Sequence, residues 1–333
     1  MIPMGKLILP ENFTRIFVPL LGGGMEITME LKGGIIPTML AAYDLSGKID
    51  IGATGALVDW YIEKGVHGLF TLCQSTEMFF LSAEEKEVIG KAVMEKCYGK
   101  IPVVASGITA DTLDGQIEEA KRIADIGVDG IVFLRNRLGE SESEYMRALS
   151  RIVREIPENV SLGFYECPYP NWQHLTDSEF SAAVDTGRFR FLKDTSCDVE
   201  VMRRREKIRT EKDKSFGLYN ANSATLLESV RFGYDGFSGV MANFHPELYV
   251  WMYEHKDDPR ADIIDKYVGI MSVIEARCYP ICAKRYLAKY ENLPITDFCR
   301  SAKDTTLSAL TAELEDVYEL TRIARGICKM EKE

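Results

Sequence analysis

The residues best suited to covalent chemistry lie in the stretch RFRFLKDTS, residues 188–196, which has Lys193 at its centre. Its residues alternate with a period of two, which predicts a strand with Phe189, Phe191 and Lys193 on one face. A lysine on an apolar face lowers its pKa and becomes a free amine, because an unpaired buried ammonium ion is costly. A free amine can attack a carbonyl carbon to form a Schiff base. The alternative is a lysine at a strand end that reaches water or pairs with Asp194.

Eight apolar runs with the composition of β-strands alternate with charged segments of helical pattern from Gly33 onward. The runs are GGIIPTML, HGLFTL, IPVVAS, GIVFL, VSLGFYE, RFRFLKDT, SFGLYN and GFSGV. They begin about 20 to 35 residues apart, which is the length of one strand and one helix. Short, wholly apolar strands between helices indicate a parallel sheet that is covered on both faces. Eight such units predict an α/β fold of the (β/α)8 TIM barrel type over residues 33–256.

Two regions flank the predicted barrel. Residues 1–32 mix apolar and polar residues around three glycines, and we expect an N-terminal extension that packs on the outside or against a neighbouring subunit. After Asn243 the helical pattern becomes continuous, and helices are predicted over residues 244–256, 258–278, 279–291 and 304–329. The first of these closes the barrel as its eighth helix. The others exceed what a barrel needs and predict a C-terminal helical region over residues 257–333.

The composition argues against several classes of function. Hydrophobic residues make up 46% and charged residues 27% of the chain, as in a globular protein with a large core. The net charge of −11 argues against nucleic acid as a partner, since a phosphate-binding face needs clustered lysine and arginine. A small acidic substrate is compatible with this charge, because a local positive site can lie within a negative envelope. No apolar run is long enough to span a bilayer, so a membrane partner is not expected.

The cysteines and histidines show no metal-binding pattern. The eight cysteines are spread over the whole chain, and Cys278 and Cys282, which are four residues apart, are interpreted as small buried residues on one helix face. The four histidines have no metal-like partner at helical spacing, so a zinc enzyme is not expected. Because we find no signal peptide, we expect reduced thiols and a cytoplasmic location.

In a barrel of this type, chemistry takes place at the carboxyl ends of the strands. That rule selects six short segments, which are residues 73–77, 135–137, 165–167, 193–195, 220–223 and 239–243. Lys193 is the only lysine among them. We therefore expect the chemistry-bearing side chains of these segments to lie around Lys193 at one end of the barrel.

Five segments resemble, in order along the chain, motifs of a known family. They are GGIIPTMLAAYD, GLFTLCQSTEMFFLSAEEK, FYECP, FLKDTS and GFSGVMANFHPEL. The family is that of the pyruvate-dependent aldolases and lyases typified by dihydrodipicolinate synthase and N-acetylneuraminate lyase. The resemblance covers about residues 33–320, and the interval from Tyr165 to Lys193 also matches the spacing of the family.

The resemblance implies a Schiff base between Lys193 and the keto carbon of pyruvate or another 2-oxo acid. Tyr165 matches the phenol that carries protons to and from the intermediates, a task that suits a group able to donate and accept while staying neutral. The alternative is that Tyr165 is an aromatic residue that only packs at the top of the barrel. No metal or organic cofactor is implied, since the protonated imine itself serves as the electron sink.

The resemblance also implies an anchor for the substrate carboxylate in residues 73–77, which match the family pattern G-[TS]-T-G-E. Backbone N–H groups and hydroxyls before a helix favour an anion. Ser75 keeps the second hydroxyl, whereas Gln74 replaces the first, and Cys73 and Thr76 replace the glycines; a positive φ at either of the last two positions would be costly. We expect Ser75 to bind substrate, with Gln74 and Thr76 as further candidates. In the turn after the eighth strand, Val240 is also a candidate.

Two departures from the family concern the second substrate. Arg135, Asn136, Arg137 and Leu138 stand where the family has P-Y-Y-N, whose second tyrosine reaches across a tight dimer. Pro170 stands where dihydrodipicolinate synthases carry an arginine. If the alternation of the fourth strand continues, Arg135 and Arg137 point the same way and could bind a distal carboxylate or hydroxyls. The alternative is that they form salt bridges with Glu140, Glu142 or Glu144.

These observations predict a lyase or aldolase that acts on pyruvate or another 2-oxo acid. The reaction would be aldol cleavage or condensation with an aldehyde, or dehydration of a sugar acid, and not the synthesis of dihydrodipicolinate. A homodimer or homotetramer is expected from the resemblance. The alternative is a non-catalytic or regulatory relative that binds a carboxylate ligand. The altered anchor loop favours that alternative, whereas the presence of Lys193 and Tyr165 favours the enzyme.

Overall fold

The computed structural model describes residues 15–19, 25–29, 31, 33–302 and 307–330. Two short strands, β1 (Arg15–Pro19) and β2 (Met25–Met29), form an antiparallel hairpin near the N-terminus. The other residues of the predicted extension before residue 31 lie outside the described part of the chain. The barrel strands are β3 (Gly34–Ile35), β4 (Leu69–Thr71), β5 (Val103–Ala105), β6 (Gly130–Leu134), β7 (Ser161–Tyr165), β8 (Phe189–Asp194), β9 (Gly217–Asn220) and β10 (Gly236–Phe237).

Helices alternate with these strands and cover the outside of the sheet. They are α1 (Ile51–Glu63), α2 (Ala83–Cys97), α3 (Leu113–Ala124), α4 (Glu142–Glu155), α5 (Asp177–Asp185), α6 (Val199–Lys212), α7 (Leu226–Phe232) and α8 (Pro246–Glu254). Ser82, Ser141 and Thr176 begin three of them with a capping box, in which side chain and backbone satisfy each other's free groups. Local sequence therefore fixes where these helices start.

The sheet is parallel and closes on itself. The strand order is β3-β10-β9-β8-β7-β6-β5-β4. The segment after β3 then pairs with β4, since the N–H of Phe70 donates to the carbonyl of Pro37 and the N–H of Met39 donates to the carbonyl of Phe70, both at 2.9 Å. All eight apolar runs contain a strand of this sheet, and the predicted (β/α)8 barrel is confirmed.

The hydrophobic core has two layers, as expected for a barrel that is filled by side chains. The larger layer lies between the sheet and the helices. The smaller layer fills the barrel and consists of Ile36, Phe70, Cys73, Met78, Val104, Val132, Leu134, Tyr165, Cys167, Phe191 and Tyr219. Because Tyr165 and Phe191 belong to this inner layer, the ends of β7 and β8 present their inward side chains to an apolar interior.

An irregularity between β7 and β8 changes the predicted face of one residue. Leu162 pairs with Phe189 and Gly163 pairs with Phe191, so the register shifts at this point, as in a β-bulge. Phe189 therefore turns outward, where its ring stacks on Phe164 with centroids 4.2 Å apart. The prediction that Phe189 shares a face with Lys193 is wrong, whereas Phe191 does face the interior.

Three further helices follow the barrel. They are α9 (Pro259–Met271), α10 (Ile281–Tyr290) and α11 (Leu307–Cys328), and α11 packs against α8, α9 and α10. The prediction of one helix over residues 258–278 was too long, since α9 gives way at Ser272–Ala276 to a 3-10 helix and Cys278 has a φ of +53°. In the described part of the chain, no helix combines the length and the apolar character needed to cross a membrane.

Candidate active site

Lys193 and Tyr165 lie side by side at the carboxyl ends of β8 and β7. They are direct partners in the register of the two strands, so their side chains leave the sheet on the same face. The Nζ atom of Lys193 lies 4.2 Å from the centre of the Tyr165 ring and 5.9 Å from that of Phe70. Only 3% of the Lys193 surface is exposed. The structure thus brings together the two residues that the sequence analysis predicted to be catalytic.

The surroundings of Lys193 favour a neutral amine. Burial lowers the pKa of its ammonium group, because the charged form loses its hydration. Within the described residues, no hydrogen bond or ion pair engages Nζ. The alternative pairing with Asp194 is wrong, since that carboxylate turns away and receives Arg205 at 2.6 Å and the hydroxyl of Tyr234 at 2.6 Å.

Tyr165 is held by Gln74. Its hydroxyl donates to Oε1 of Gln74 at 3.1 Å, and the thiol of Cys167 lies 3.7 Å from the same oxygen. Burial raises the pKa of Tyr165 well above its usual value, so the phenol stays neutral. A neutral phenol next to an amine of lowered pKa can both donate and accept a proton during carbonyl chemistry. Gln74, which replaces a hydroxyl of the family pattern, therefore contacts the proposed acid–base group.

Ser75 belongs to a second set of hydroxyls, which it forms with Thr38 and Tyr279. Its Oγ donates to Thr38 at 3.1 Å and accepts from the hydroxyl of Tyr279 at 2.8 Å. The amide of Asn243 donates to the same Tyr279 oxygen at 2.9 Å. The sequence analysis did not single out Tyr279, because it assigned this residue to a helix over 279–291. The helix starts only at Ile281, and Pro280 was the signal that Tyr279 lies in the turn before it.

The anchor loop, residues 73–77, forms its turn without glycine. Positive φ angles occur at Leu72, +50°, and Glu77, +59°, and not at the two positions where the family pattern has glycine. Thr76 is buried and its hydroxyl donates to the carbonyl of Met39 at 2.6 Å, so this side chain holds the loop against the segment that follows β3. Thr76 does not line the cavity with its neighbours.

The carboxylate of Glu77 ties the loop to the C-terminal part of the chain. One oxygen receives the amine of Lys284 at 3.1 Å. The other oxygen receives the backbone N–H groups of Arg300 and Ser301, both at 2.7 Å. Since Glu77 and Lys284 are both buried, this pair fixes the position of the loop relative to α10.

A cavity of about 280 Å³ adjoins these groups, and Lys193 lies behind its Tyr165 wall and is not itself a lining residue. Its walls are Gln74, Ser75, Glu77, Phe79, Phe80, Tyr165, Tyr169, Val240, Tyr279, Pro280 and Ser301. Four residues predicted from sequence, Gln74, Ser75, Tyr165 and Val240, thus share one cavity. Its volume suits a small molecule, and five of the eleven lining residues are aromatic.

The structure places Arg135 and Arg137 away from this cavity. The strand ends at Leu134 and residues Arg135–Arg137 form a 3-10 turn, so the prediction that both side chains point the same way is wrong. Arg135, of which 2% is exposed, forms two hydrogen bonds with Glu179 of α5, at 3.0 Å and 2.5 Å. Arg137 pairs with Asp111 at 2.7 Å.

Neither arginine uses the predicted alternative partners Glu140, Glu142 or Glu144. The Arg137 guanidinium lies 5.4 Å from the centre of the Phe79 ring, so it supports a wall of the cavity from behind. Arg135 instead lies over the Tyr145 ring, at 4.9 Å, among the helices. The two cations that were expected to bind substrate are therefore occupied by protein groups.

A buried ionic cluster supports the ends of β7 and β8 from outside. Glu166 accepts from Arg205 at 3.1 Å and 2.5 Å and from the N–H of Leu175 at 2.8 Å. Burial acts to raise the pKa of Asp194, but the charge of Arg205 together with hydrogen bonds from Ser196 and Tyr234 holds that pKa below its usual value. Because Glu166 and Asp194 directly follow Tyr165 and Lys193, this cluster holds the two catalytic candidates in place. The sequence analysis missed Arg205, which comes from α6.

The fold and the sequence motifs define a lyase of the (β/α)8-barrel class. The chain belongs to the Dihydrodipicolinate synthetase family, whose model matches residues 31–310.

Curated relatives carry several lyase and aldolase names. A probable 2-dehydro-3-deoxy-D-pentonate aldolase of Escherichia coli is 26% identical over 302 residues, which are 86% of this chain and 98% of the relative. The N-acetylneuraminate lyase of Mediterraneibacter gnavus is 24% identical over 230 residues, 68% of this chain and 70% of that protein. The solved structure of the Escherichia coli prophage protein YagE in complex with pyruvate has a TM-score of 0.80 at 21% identity and covers 88% of this chain and 99% of its own. This last likeness shows the shared fold.

Proposed function

We propose that this lyase forms a Schiff base between Lys193 and the keto carbon of pyruvate or another 2-oxo acid, and then makes or breaks a bond at the adjacent carbon. The observation that carries the proposal is the buried, unpaired amine of Lys193 beside the neutral phenol of Tyr165. Synthesis of dihydrodipicolinate is not proposed, because Arg135 is occupied and Pro170 stands at the position of the family's arginine.

The steps use the two groups in turn. The Lys193 amine attacks the keto carbon, and the oxygen of the resulting carbinolamine leaves as water after Tyr165 supplies a proton. The protonated imine draws electrons from the neighbouring carbon, which loses a proton to the phenolate of Tyr165 and becomes part of an enamine. The enamine carbon then attacks an aldehyde, and the reverse sequence cleaves the same bond. Gln74 keeps the phenol oriented through the hydrogen bond to Oε1.

The carboxylate of the 2-oxo acid is assigned to the side of the cavity that carries Ser75 and Tyr279. Both hydroxyls line the cavity, and their mutual hydrogen bond fixes their positions. Thr76 is assigned no contact with the carboxylate, since its hydroxyl donates to the carbonyl of Met39 and the residue does not line the cavity. Val240 contributes an apolar contact to the same wall.

The test is covalent trapping followed by an exchange measurement. Borohydride added with pyruvate should give one adduct per chain, mapped to Lys193 by peptide mass, and Lys193→Ala should give none. Exchange of the pyruvate methyl protons with deuterated water, followed by NMR, reports enamine formation without any aldehyde. Tyr165→Phe should keep the melting temperature and lower this exchange rate about 100-fold or more, as for loss of an acid–base group.

Adduct formation that persists in Lys193→Ala contradicts the assignment of the nucleophile. A complete lack of trapping by any of a panel of 2-oxo acids favours the non-catalytic alternative. Unchanged exchange in Tyr165→Phe would leave Tyr165 as a packing residue.

A further inference from the structure

We infer that the aldehyde handled by this lyase carries an aromatic ring, and not a chain of hydroxyls or a second anionic group. This inference rests on the proposed Schiff-base function, because it concerns the outer part of the cavity that Tyr165 lines next to Lys193.

The outer part of the cavity is built from aromatic side chains. Phe79 and Tyr169 face each other at the rim with ring centroids 4.9 Å apart. Phe80 and Tyr169 remain 46% and 49% exposed although both line the cavity. Large exposed rings of this kind mark a surface that binds another apolar group. They line the same cavity as the buried Tyr165, so an aldehyde bound next to Tyr165 would contact them.

Protein partners engage the hydroxyls of Tyr165 and Ser75 and the carboxylate of Glu77, and Ser75 and Tyr279 are assigned to the carboxylate of the 2-oxo acid. Tyr165 donates to Gln74, and Ser75 is bonded to Thr38 and Tyr279. Both oxygens of Glu77 are engaged by the C-terminal part of the chain. A row of substrate hydroxyls would lose its water and gain few new partners here, which disfavours a polyhydroxylated chain.

The cations around the cavity are paired as well. Arg137 is bound to Asp111 at 2.7 Å, Lys284 to Glu77 at 3.1 Å and Arg300 to Glu85 at 2.6 Å. In the part of the chain that the structure describes, no cation other than Lys193 approaches the cavity without a carboxylate partner. A distal carboxylate or phosphate needs such a cation, so an acidic aldehyde is disfavoured.

A flat aromatic group suits the aromatic rim of the cavity. Aromatic rings pack edge to face or offset against other rings. The planes of Phe79 and Tyr169 are tilted by 55°, so a third ring at the rim can contact the edge of one and the face of the other. The Arg137 guanidinium stiffens the Phe79 ring. The distal cation sites expected from sequence are thus replaced by an aromatic rim.

The reaction needs no further reagent. The enamine carbon from pyruvate forms a bond to the carbonyl carbon of benzaldehyde, and the aldehyde oxygen takes up a proton equivalent to the one lost from the pyruvate methyl group. Water then hydrolyses the imine and frees Lys193. The product is 4-hydroxy-2-oxo-4-phenylbutanoate, which yields benzylidenepyruvate by loss of one water molecule.

The experiment compares three aldehydes with pyruvate on the full-length protein. Benzaldehyde, glyceraldehyde and succinic semialdehyde represent an aromatic, a hydroxylated and an acidic partner, and products are measured by liquid chromatography and mass spectrometry. We expect kcat/KM for benzaldehyde to exceed the other two by about 10-fold or more. Phe79→Ala and Tyr169→Ala should each lower it by about 10-fold, the upper range for loss of one aromatic pair. The control is Tyr98→Ala, which removes an exposed ring at the end of α2.

The outcomes separate this inference from the proposed function. Trapping of pyruvate at Lys193 together with a preference for glyceraldehyde or succinic semialdehyde overturns the aromatic assignment and leaves the Schiff-base lyase intact. Lack of trapping contradicts the lyase itself. A change of sedimentation coefficient in Phe79→Ala and Tyr169→Ala, with the aldehyde preference unaltered, assigns the rim to a contact between two copies of the chain and also overturns the inference.

Discussion

At the scale of single residues, one physical cause prepares both catalytic candidates. Burial disfavours the charged form of each group, so it lowers the pKa of Lys193 and raises the pKa of Tyr165. The amine is thereby biased towards its nucleophilic form, and the phenol keeps the proton that it must deliver. Neither effect needs a charged neighbour, and both follow from the apolar interior formed by residues such as Phe70 and Phe191.

The lowered pKa of Lys193 predicts a pH-dependent cost in stability. Between the folded pKa and the usual value of 10.5 the unfolded chain binds more protons at this residue than the folded chain, so the free energy of unfolding rises with pH in this window. Lys193→Met should therefore be more stable than the natural protein at pH 7, and the difference should shrink as pH approaches 10.5. Each unit by which the pKa is lowered corresponds to about 1.4 kcal/mol.

Urea unfolding of both proteins at pH 7 and at pH 10 measures this difference. The matched control is Lys207→Met, which removes an exposed lysine on α6 and should show no pH-dependent difference. A gap between Lys193→Met and the natural protein that stays constant over this range would mean that Lys193 is charged in the folded state.

At the scale of elements, the sequence predicted strands well and side-chain directions less well. The eight strands are found because each is an almost wholly apolar run between helical segments. The direction of Phe189 depends on the bulge opposite Gly163, where a Cβ would approach the Cβ of Phe191 to 2.9 Å. The direction of Arg135 depends on Glu179, which lies 44 residues further along the chain. Such contacts between distant elements leave no periodic signal in the local sequence.

The two arginines of the turn after β6 should differ in their contribution to stability, because one is buried and the other has an exposed partner. Arg135→Met leaves the buried carboxylate of Glu179 without its cation, which should lower the free energy of unfolding by about 3–5 kcal/mol. Arg137→Met should cost less than about 1 kcal/mol for its ion pair, because the partner Asp111 is 97% exposed and well hydrated. Urea unfolding of both variants gives the comparison, and pyruvate trapping at Lys193 should persist in each. If Arg135→Met is as stable as Arg137→Met but weakens substrate binding, the role in binding that the sequence suggested for Arg135 holds.

At the scale of the whole molecule, the C-terminal helices take part in the site. The sequence predicted them as additional to the barrel, and it indicated Lys193 through its apolar strand and Tyr165 through the resemblance to the family. Tyr279 lines the cavity, and Lys284 binds the lining residue Glu77, although they lie 204 and 207 residues after their partners in the anchor loop. The loop lacks the glycines of the family pattern, and its left-handed residue Glu77 is held in place by those contacts.

This arrangement predicts that a substitution in α10 alters the anchor loop through the contact with Glu77. Lys284→Met leaves the buried carboxylate of Glu77 with backbone partners alone, which should lower the free energy of unfolding by about 3–5 kcal/mol. It should also weaken pyruvate binding, since Ser75 lies on the same loop.

The control is Lys289→Met on the same helix, where the lysine is exposed beside Tyr290, and it should leave both quantities unchanged. Urea unfolding and the concentration of pyruvate that gives half-maximal trapping provide the two measurements. A loss of stability without any change in pyruvate concentration dependence would mean that the C-terminal helices only brace the barrel, and that the loop holds its shape through Thr76 and Met39 alone.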